Sequence, residues 1–205
     1  MKDLKNFGGK KMIKISLVDF LKLSKDDISG KVLCFTTDTV WGVGVVVDNN
    51  LSIGLNKIYQ MKKRDLNKPL AVLASNLEEI KKHVVYDPDI EAVMNKWPGA
   101  LTIIFKKNDA FFDELTDINT IALRIPNNLV SLSILDYLGF VATTSVNLSN
   151  SKPLNNKEDI EKYFSEFIDY LIVDETPLSK VSSTIVDVTN KPFKIIRSGD
   201  IKINV

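Results

Sequence analysis

The sequence predicts a single α/β domain built on a mixed sheet. Short apolar, β-branched runs of strand length recur along the chain, and stretches with apolar residues at helical spacing lie between several of them. No internal repeat, low-complexity tract or Gly/Ser linker divides the 205 residues, so one domain of generous size accounts for them.

Residues 1–11 are polar and end in Gly8-Gly9-Lys10-Lys11, which reads as a flexible tail. The domain then runs from 12 to 205, with Met12 an alternative start. Met12 to Ile15 alternates like a strand. Further strands are expected over Lys31–Phe35, Val43–Val47, Leu70–Leu73, Leu101–Phe105, Thr120–Ile125, Val141–Thr144, Leu171–Val173, Thr184–Val188 and Phe193–Ile196. Helical spacing connects Ile53, Ile58 and Met61, then Leu77 and Ile80, and then Ile90, Val93, Met94 and Trp97. It recurs in Leu132, Leu135 and Leu138, and in Ile160, Tyr163, Phe164 and Phe167. Asn76 before Leu77-Glu78-Glu79 is an N-cap with acids in the first turn, and Pro98-Gly99 stops the helix that precedes it. The short link from Val188 to Phe193 fits a hairpin, which makes the sheet mixed.

Composition removes whole classes of function. Twenty-seven basic against 26 acidic residues give a formal net charge of +1, so the chain lacks the global positive field that holds nucleic acid or anionic lipid non-specifically. No apolar run approaches the roughly 18–20 residues that span a bilayer, and the N-terminus lacks the apolar region of a signal peptide. A cytoplasmic protein that does not enter membranes is expected. The one cysteine, Cys34, lies in an apolar run and reads as a small buried hydrophobe.

Familiar catalytic motifs are also missing. Gly8-Gly9-Lys10-Lys11 lacks the spacing of a phosphate-binding P-loop, and no GxSxG elbow accompanies the one histidine, His83, which reads as a solvated helix-end residue. Metal centres built from cysteine and histidine are impossible on this inventory. What stands out is polar chemistry set beside strands. Thr36-Thr37-Asp38-Thr39 separates two strand runs, where it serves either as a ligand-facing strand end or as a plain hydroxyl turn. Lys62-Lys63-Arg64-Asp65-Leu66-Asn67-Lys68 carries four cations in seven residues, which by composition read first as a solvated helix end and second as a polyphosphate site. Arg124 interrupts a strand, and a buried guanidinium demands an anionic or carbonyl partner. Thr143-Thr144-Ser145-Val146-Asn147 and Ser182-Ser183-Thr184 place hydroxyls and an amide at strand ends, and Arg197 closes the last strand.

In this order, the segments resemble the YrdC/TsaC family of threonylcarbamoyl-adenylate synthases. TTDTVWGVG is similar to the family's PTDTVYGLG, KKRDLNKPL to KxRPxxKPL, WPGALT to WPGPLT, ALRIPNN to VRIPxH, TSVNLS to SANxSG, SSTIVD to STIVD and IIRSG to ILRPG. The ordered blocks span residues 35 to 199, and the chain stops soon after them, as in the short single-domain members.

The resemblance implies a twisted α/β sheet with flanking helices around a concave, largely positive cavity. It also implies a reaction in which L-threonine, bicarbonate or CO2, and ATP with Mg²⁺ give threonylcarbamoyl-AMP and pyrophosphate. The product would pass to a downstream tRNA threonylcarbamoyltransferase that makes N6-threonylcarbamoyladenosine beside the anticodon, with at most weak tRNA contact by this chain. No covalent nucleophile is needed, because the carbamate of threonine itself attacks the α-phosphate. Carried over position by position, Lys62, Arg64, Thr120, Ser145, Asn147 and Arg197 would bind ATP. Thr37, Arg124 and Ser183 would bind threonine, Arg124 through the carboxylate.

The chain departs from the family pattern at Thr36, Trp41, Asp65, Asn150 and Ser198. Asn150 in place of glycine keeps access to the left-handed conformation, while Asp65 sets a carboxylate beside Arg64. An RNA-binding or nucleotide-binding regulatory module of the same fold, without turnover, is the alternative expectation.

Overall fold

The computed structural model describes residues 12–66, 68–174 and 176–204. The tail expected over 1–11 lies outside the described residues, whereas Met12 is described and packs into the core. Strands β1 (Ile13–Ile15), β2 (Leu33–Thr36), β3 (Trp41–Val46), β4 (Ala71–Leu73) and β5 (Leu101–Lys106) are followed by β6 (Thr120–Arg124), β7 (Val141–Ser145), β8 (Tyr170–Ile172), β9 (Thr184–Asp187) and β10 (Lys194–Arg197). Between them lie α1 (Leu17–Phe20), α2 (Lys25–Ile28), α3 (Leu51–Lys62), α4 (Leu77–His83), α5 (Glu91–Met94), α6 (Leu129–Leu138) and α7 (Lys157–Phe164). A 3-10 turn, Pro88–Ile90, leads into α5.

The described strands form one sheet in the order β1-β8-β2-β3-β7-β4-β6-β5-β9-β10. The pairs β1–β8, β8–β2, β4–β6 and β5–β9 run parallel, and the others antiparallel. The expected mixed α/β class is borne out, including the β9–β10 hairpin. Each strand run read from the sequence falls on a strand, with ends moved by a residue or two.

Neighbouring residues of a strand face opposite sides of a sheet, and here the alternation divides the sequence between two cores. Cys34, Trp41, Val43, Val45, Val72, Ile103, Leu123 and Ala142 face one side, where α3, α5 and α7 cover them with Leu55, Ile58, Val93 and Ile160. Leu33, Phe35, Val46 and Leu73 face the other side, under Phe20 of α1, Ile28 of α2 and Val130, Ile134 and Leu135 of α6. That second core is the smaller one, and the rest of its face is open.

The helices α1 and α2 escape the periodicity because each is a single turn. They are held by Ser16 and Ser24, whose hydroxyls accept the amides of Asp19 and Asp27 while donating to the same aspartates' carboxylates. A Ser-x-x-Asp capping pattern repeated eight residues apart is their sequence signal. Asn76 caps α4 as expected, and Asn128 and Asn156 cap α6 and α7.

One connection crosses most of the molecule. From β8 to β9 is seven inter-strand steps, about 34 Å on a flat sheet, and the chain from Ile172 to Thr184 reaches about 40 Å when extended. The connection does not run straight, since Lys180 takes a left-handed conformation, φ 62°. It is pinned midway where the Ser179 amide donates to the Asp38 carbonyl at 3.1 Å and the Lys180 amide to the Thr39 carbonyl at 2.8 Å.

The contact of α3 with β3 depends on Gly54, where a Cβ would stand 2.4 Å from Cγ2 of Val45. A Gly54→Ala substitution gains helix propensity of about 1 kcal/mol but overpacks this contact by about 1–3 kcal/mol. The expected outcome is a lower urea midpoint with an unchanged m-value. An unchanged midpoint would show that α3 moves freely on the sheet.

Candidate functional site

The open part of the sheet face is a cavity of about 330 Å³. The strand alternation that buries one set of side chains aims the other set into it. Gly42 of β3, Thr143 and Ser145 of β7, Ala71 and Leu73 of β4, Ala122 and Arg124 of β6, Thr102 and Ile104 of β5 and Ile185 of β9 form its floor. Their pairing is consistent across the sheet: Gly42 lies opposite Ser145, Leu73 opposite Arg124, Ile104 opposite Ala122 and Thr102 opposite Ile185. The outer wall is β10, where a bulge at Ile196 sets Arg197 opposite Ile185, so that Ile196 and Arg197 both line the cavity. The polar groups therefore sit on the face of the sheet as well as at strand ends, where the Thr37–Thr39 turn, Ser145, Ser183 and Arg197 lie as the sequence reading placed them.

Two cations arrive from the end of α3. Lys63 takes a left-handed conformation, φ 49°, its amide donates to Gln60 O at 3.1 Å, and the Arg64 amide donates to Tyr59 O at 3.0 Å. This is a Schellman ending with lysine at the usual glycine position. It turns Lys62 and Arg64 toward the cavity, while Lys63 and Lys68 stay exposed. Lys62 is 2% exposed. Its ammonium donates to the Ser145 carbonyl at 2.6 Å, the Asn147 carbonyl at 3.1 Å and Asn147 Oδ1 at 2.5 Å. Burial, assisted by the charge of Arg64, pulls its pKa down to about 8. Arg64 is steadied by its own loop, donating to the carbonyls of Lys68 at 2.9 Å and Pro69 at 3.2 Å.

Arg124 is held from behind by three nitrogens. Nε donates to the Gly99 carbonyl at 3.0 Å, Nη1 to Thr39 Oγ1 at 2.9 Å and Nη2 to Asp38 Oδ1 at 2.5 Å. Burial lowers its pKa, and the Asp38 carboxylate opposes that shift. Three of five guanidinium N–H donors are thus used. One remains on each terminal nitrogen, the pair that a carboxylate accepts in bidentate fashion.

The hydroxyls are arranged around these cations. Thr37 Oγ1 donates to the Val40 carbonyl at 2.7 Å and accepts the amides of Thr39 and Val40, each at 3.2 Å, so it both makes the turn and lines the cavity. Ser145 Oγ donates to Asn147 Oδ1 at 2.8 Å. Ser183 Oγ lies 2.8 Å from Thr102 Oγ1, and Arg197 donates through Nε and Nη2 to the Ser183 carbonyl at 3.1 and 2.8 Å. Burial also lowers the Arg197 pKa.

Of the residues singled out from the sequence, Thr37, Lys62, Arg64, Arg124, Ser145, Asn147, Ser183 and Arg197 come together in this one cavity. Thr120 does not line it. It shares the face of Ala122 and Arg124 but sits two residues farther out, opposite Lys106, roughly 7 Å beyond Ala122. Two residues escaped the sequence reading. Asp38 anchors Arg124, and its signal was a carboxylate inside the threonine-rich turn. Ser149 lines the cavity with a buried hydroxyl that has no hydrogen-bond partner.

His83 departs from the solvated capping role expected of it. Nδ1 lies 2.7 Å from Asp109 Oδ2, and the ring stacks on Phe111 at 4.1 Å with Phe112 and Phe140 edge-on. Apolar neighbours at the β5 and β7 ends cover it, which helix-end charge arguments do not foresee. Cys34 is buried, as expected, and burial pushes its thiol pKa far up.

The cavity lining contains four cations and no carboxylate among the described residues. No cluster of three or more His, Cys, Asp or Glu that could hold a metal ion occurs among them either. The donor set does not fit a divalent cation held by protein ligands. The site suits a polyanion beside a smaller carboxylate.

Residues 28–199 match the family model Sua5_yciO_yrdC, described as "Telomere recombination". A Methanocaldococcus jannaschii protein is 31% identical over 191 residues, covering 91% of this chain and 87% of its own length. A Pyrococcus abyssi protein named threonylcarbamoyl-AMP synthase is 25% identical, covering 85% of this chain and 52% of its own length. The structure of P. abyssi Sua5 complexed with L-threonine superposes with a TM-score of 0.79 at 23% identity, covering 92% of this chain and 57% of that one. This chain therefore spans little more than half of those longer relatives.

The Arg124–Asp38 pair is nearly enclosed, with side-chain exposures of 7% and 17%. Asp38→Ala leaves the guanidinium charge buried without its carboxylate, and the expected loss of stability is about 3 kcal/mol. Urea unfolding at neutral pH measures it. A loss below about 1 kcal/mol would mean that solvent or the Thr39 and Gly99 contacts suffice.

Proposed function

Because the chain belongs to the Sua5/YciO/YrdC family, we propose that it is a threonylcarbamoyl-AMP synthase. It joins L-threonine, bicarbonate or CO2, and ATP, releasing pyrophosphate. What supports this is the cavity: four cations, a row of hydroxyls and no carboxylate, with one anchored guanidinium that keeps a bidentate pair of donors. The names of relatives point the same way.

In this reading Arg124 takes the threonine carboxylate, with Thr37 and Ser183 beside it. Arg64, Arg197, Ser145 and Asn147 surround the triphosphate, and the charge of Lys62 adds to their field. Thr120 belongs to the nucleotide group by resemblance alone. The threonine amine loses a proton as its nitrogen bonds to the carbon of CO2. A carbamate oxygen then attacks the α-phosphorus, the bond to the bridging oxygen of the β-phosphate breaks, and pyrophosphate leaves with its electron pair. The side chains position two anions against each other and neutralise the charge that grows on the leaving group. Magnesium enters as part of the nucleotide substrate.

The adenylate is a labile mixed anhydride, so we place a tRNA-modifying transferase next in sequence, in the cytoplasm. No helix among the described residues is long and apolar enough to cross a membrane.

The test is pyrophosphate release with threonine or bicarbonate omitted in turn, and mass spectrometry of the adenylate. Release is expected only with both, and Arg64→Ala is expected to lower kcat/KM for ATP about a hundredfold. ATP binding without threonine-dependent release would make the protein a nucleotide-binding module instead.

A further inference from the structure

The proposed function counts Lys62 as positive charge near the triphosphate, yet its geometry says more. An ammonium has three N–H donors, and all three are committed inside the protein, to Ser145 O, Asn147 O and Asn147 Oδ1, within 3.1 Å. Its own carbonyl accepts the Ser149 amide at 2.9 Å. One residue thus grips the loop 145–149 by side chain and by backbone. No carboxylate among the described residues lies within ion-pair distance of the ammonium, so the partners that hold this buried charge are the loop's own oxygens.

We propose that Lys62 is a positioning residue: it clasps the loop 145–149 into the shape that binds the nucleotide's phosphates, and it does not itself donate a hydrogen bond to them. Three observations agree. Asn147 Oδ1 receives both Lys62 Nζ and Ser145 Oγ, which fixes the amide and turns its nitrogen to the Ser151 carbonyl at 2.5 Å. The loop ends at Asn150 in a left-handed conformation, φ 67°, a turn that free chain rarely holds. The same loop carries the unpartnered hydroxyl of Ser149 at the cavity wall.

The clasp is sensitive to pH because a neutral amine has two N–H donors and one lone pair. Loss of the proton turns that lone pair toward one of three oxygens and releases part of the loop. Arg64 is the charged group acting on Lys62, and its charge favours the loss. The ammonium is depressed from 10.5 to about 8, so the loosening is centred near pH 8 in the unliganded protein.

The amide signals of Val146 to Ser151, followed by NMR in the unliganded wild type from pH 6.5 to 9.5, are expected to shift with a midpoint near 8. In Lys62→Arg, always charged, the midpoint disappears. In Lys62→Met, the same signals are perturbed throughout without ligand, and ATP affinity measured by calorimetry falls at least about tenfold. Loop signals unchanged in Lys62→Met while ATP affinity falls would overturn the proposal in favour of a direct phosphate contact. A perturbed loop with unchanged ATP affinity would overturn it too, because the loop would then bind nothing. The inference rests on the nucleotide reading only for its second half. A wild type that binds no ATP would refute that reading, whereas the titration of the loop would still decide the clasp.

Discussion

Strand alternation is the constraint on which the rest of this molecule depends. A residue that faces the large core leaves its two neighbours on the opposite side, so the sequence of each strand encodes two environments at once. Val72 and Leu123 pack under the helices, while Leu73 and Arg124, one residue along, face the other way. The site is what this second face becomes where no helix covers it. The helices α1, α2 and α6 are too few to roof ten strands, and they sit over β8, β2 and β3 through Phe20, Ile28 and Ile134. Beyond Leu73 the roof ends and the polar floor begins.

An open floor of this kind accumulates charge at the expense of stability. Lys62 keeps its ammonium at 2% exposure. The fall from 10.5 to about 8 reflects on the order of 3 kcal/mol of preference against the charged form. Arg124 and Arg197 are also displaced downward by burial. Only Arg124 has a carboxylate at ion-pair distance among these described cations, and Asp38 stands behind it, outside the lining. The unliganded cavity therefore holds positive charges that repel one another, and among the described residues Lys62 and Arg197 have no carboxylate at ion-pair distance. Under the proposed function a polyphosphate would relieve that repulsion, so a net charge of +1 overall is compatible with a local polyanion site.

Much of this was legible in the sequence, for identifiable reasons. The strands announced themselves because β-branched runs bounded by turn residues have few other uses, and Arg124 announced itself because a charge inside such a run needs a partner. The meaning of Asp38 was hidden. Its partner lies 86 residues away, and from composition a carboxylate in a threonine-rich turn is an ordinary turn residue. The loop 145–149 was readable as hydroxyls and an amide, but not as a structure clasped by Lys62, because that contact joins a helix end to a loop 83 residues on. Single-turn helices such as α1 and α2 are too short for a period to show. His83 was misjudged because its aromatic neighbours arrive from the residues 111–112 and from Phe140, far along the chain.

The cavity has a deep side and a shallow side, and this asymmetry follows from the same strand order. β2 and β3 are wholly buried, whereas all of β10 is exposed at the sheet edge. What binds β10 to the molecule is backbone contact more than core burial. Arg197 reaches back to the Ser183 carbonyl, the Asp200 amide donates to Ser182 O at 2.9 Å, and a Cβ at Gly199 would stand 2.2 Å from that same oxygen. Such an edge opens more easily than a buried strand. Arg124 is therefore fixed before any ligand arrives, anchored by Asp38, Thr39 and Gly99, while Arg197 stands on an exposed edge strand. Under the proposed function a carboxylate would meet a preformed partner at the inner end of the cavity, and a phosphate at the outer end would meet a wall on the exposed edge strand.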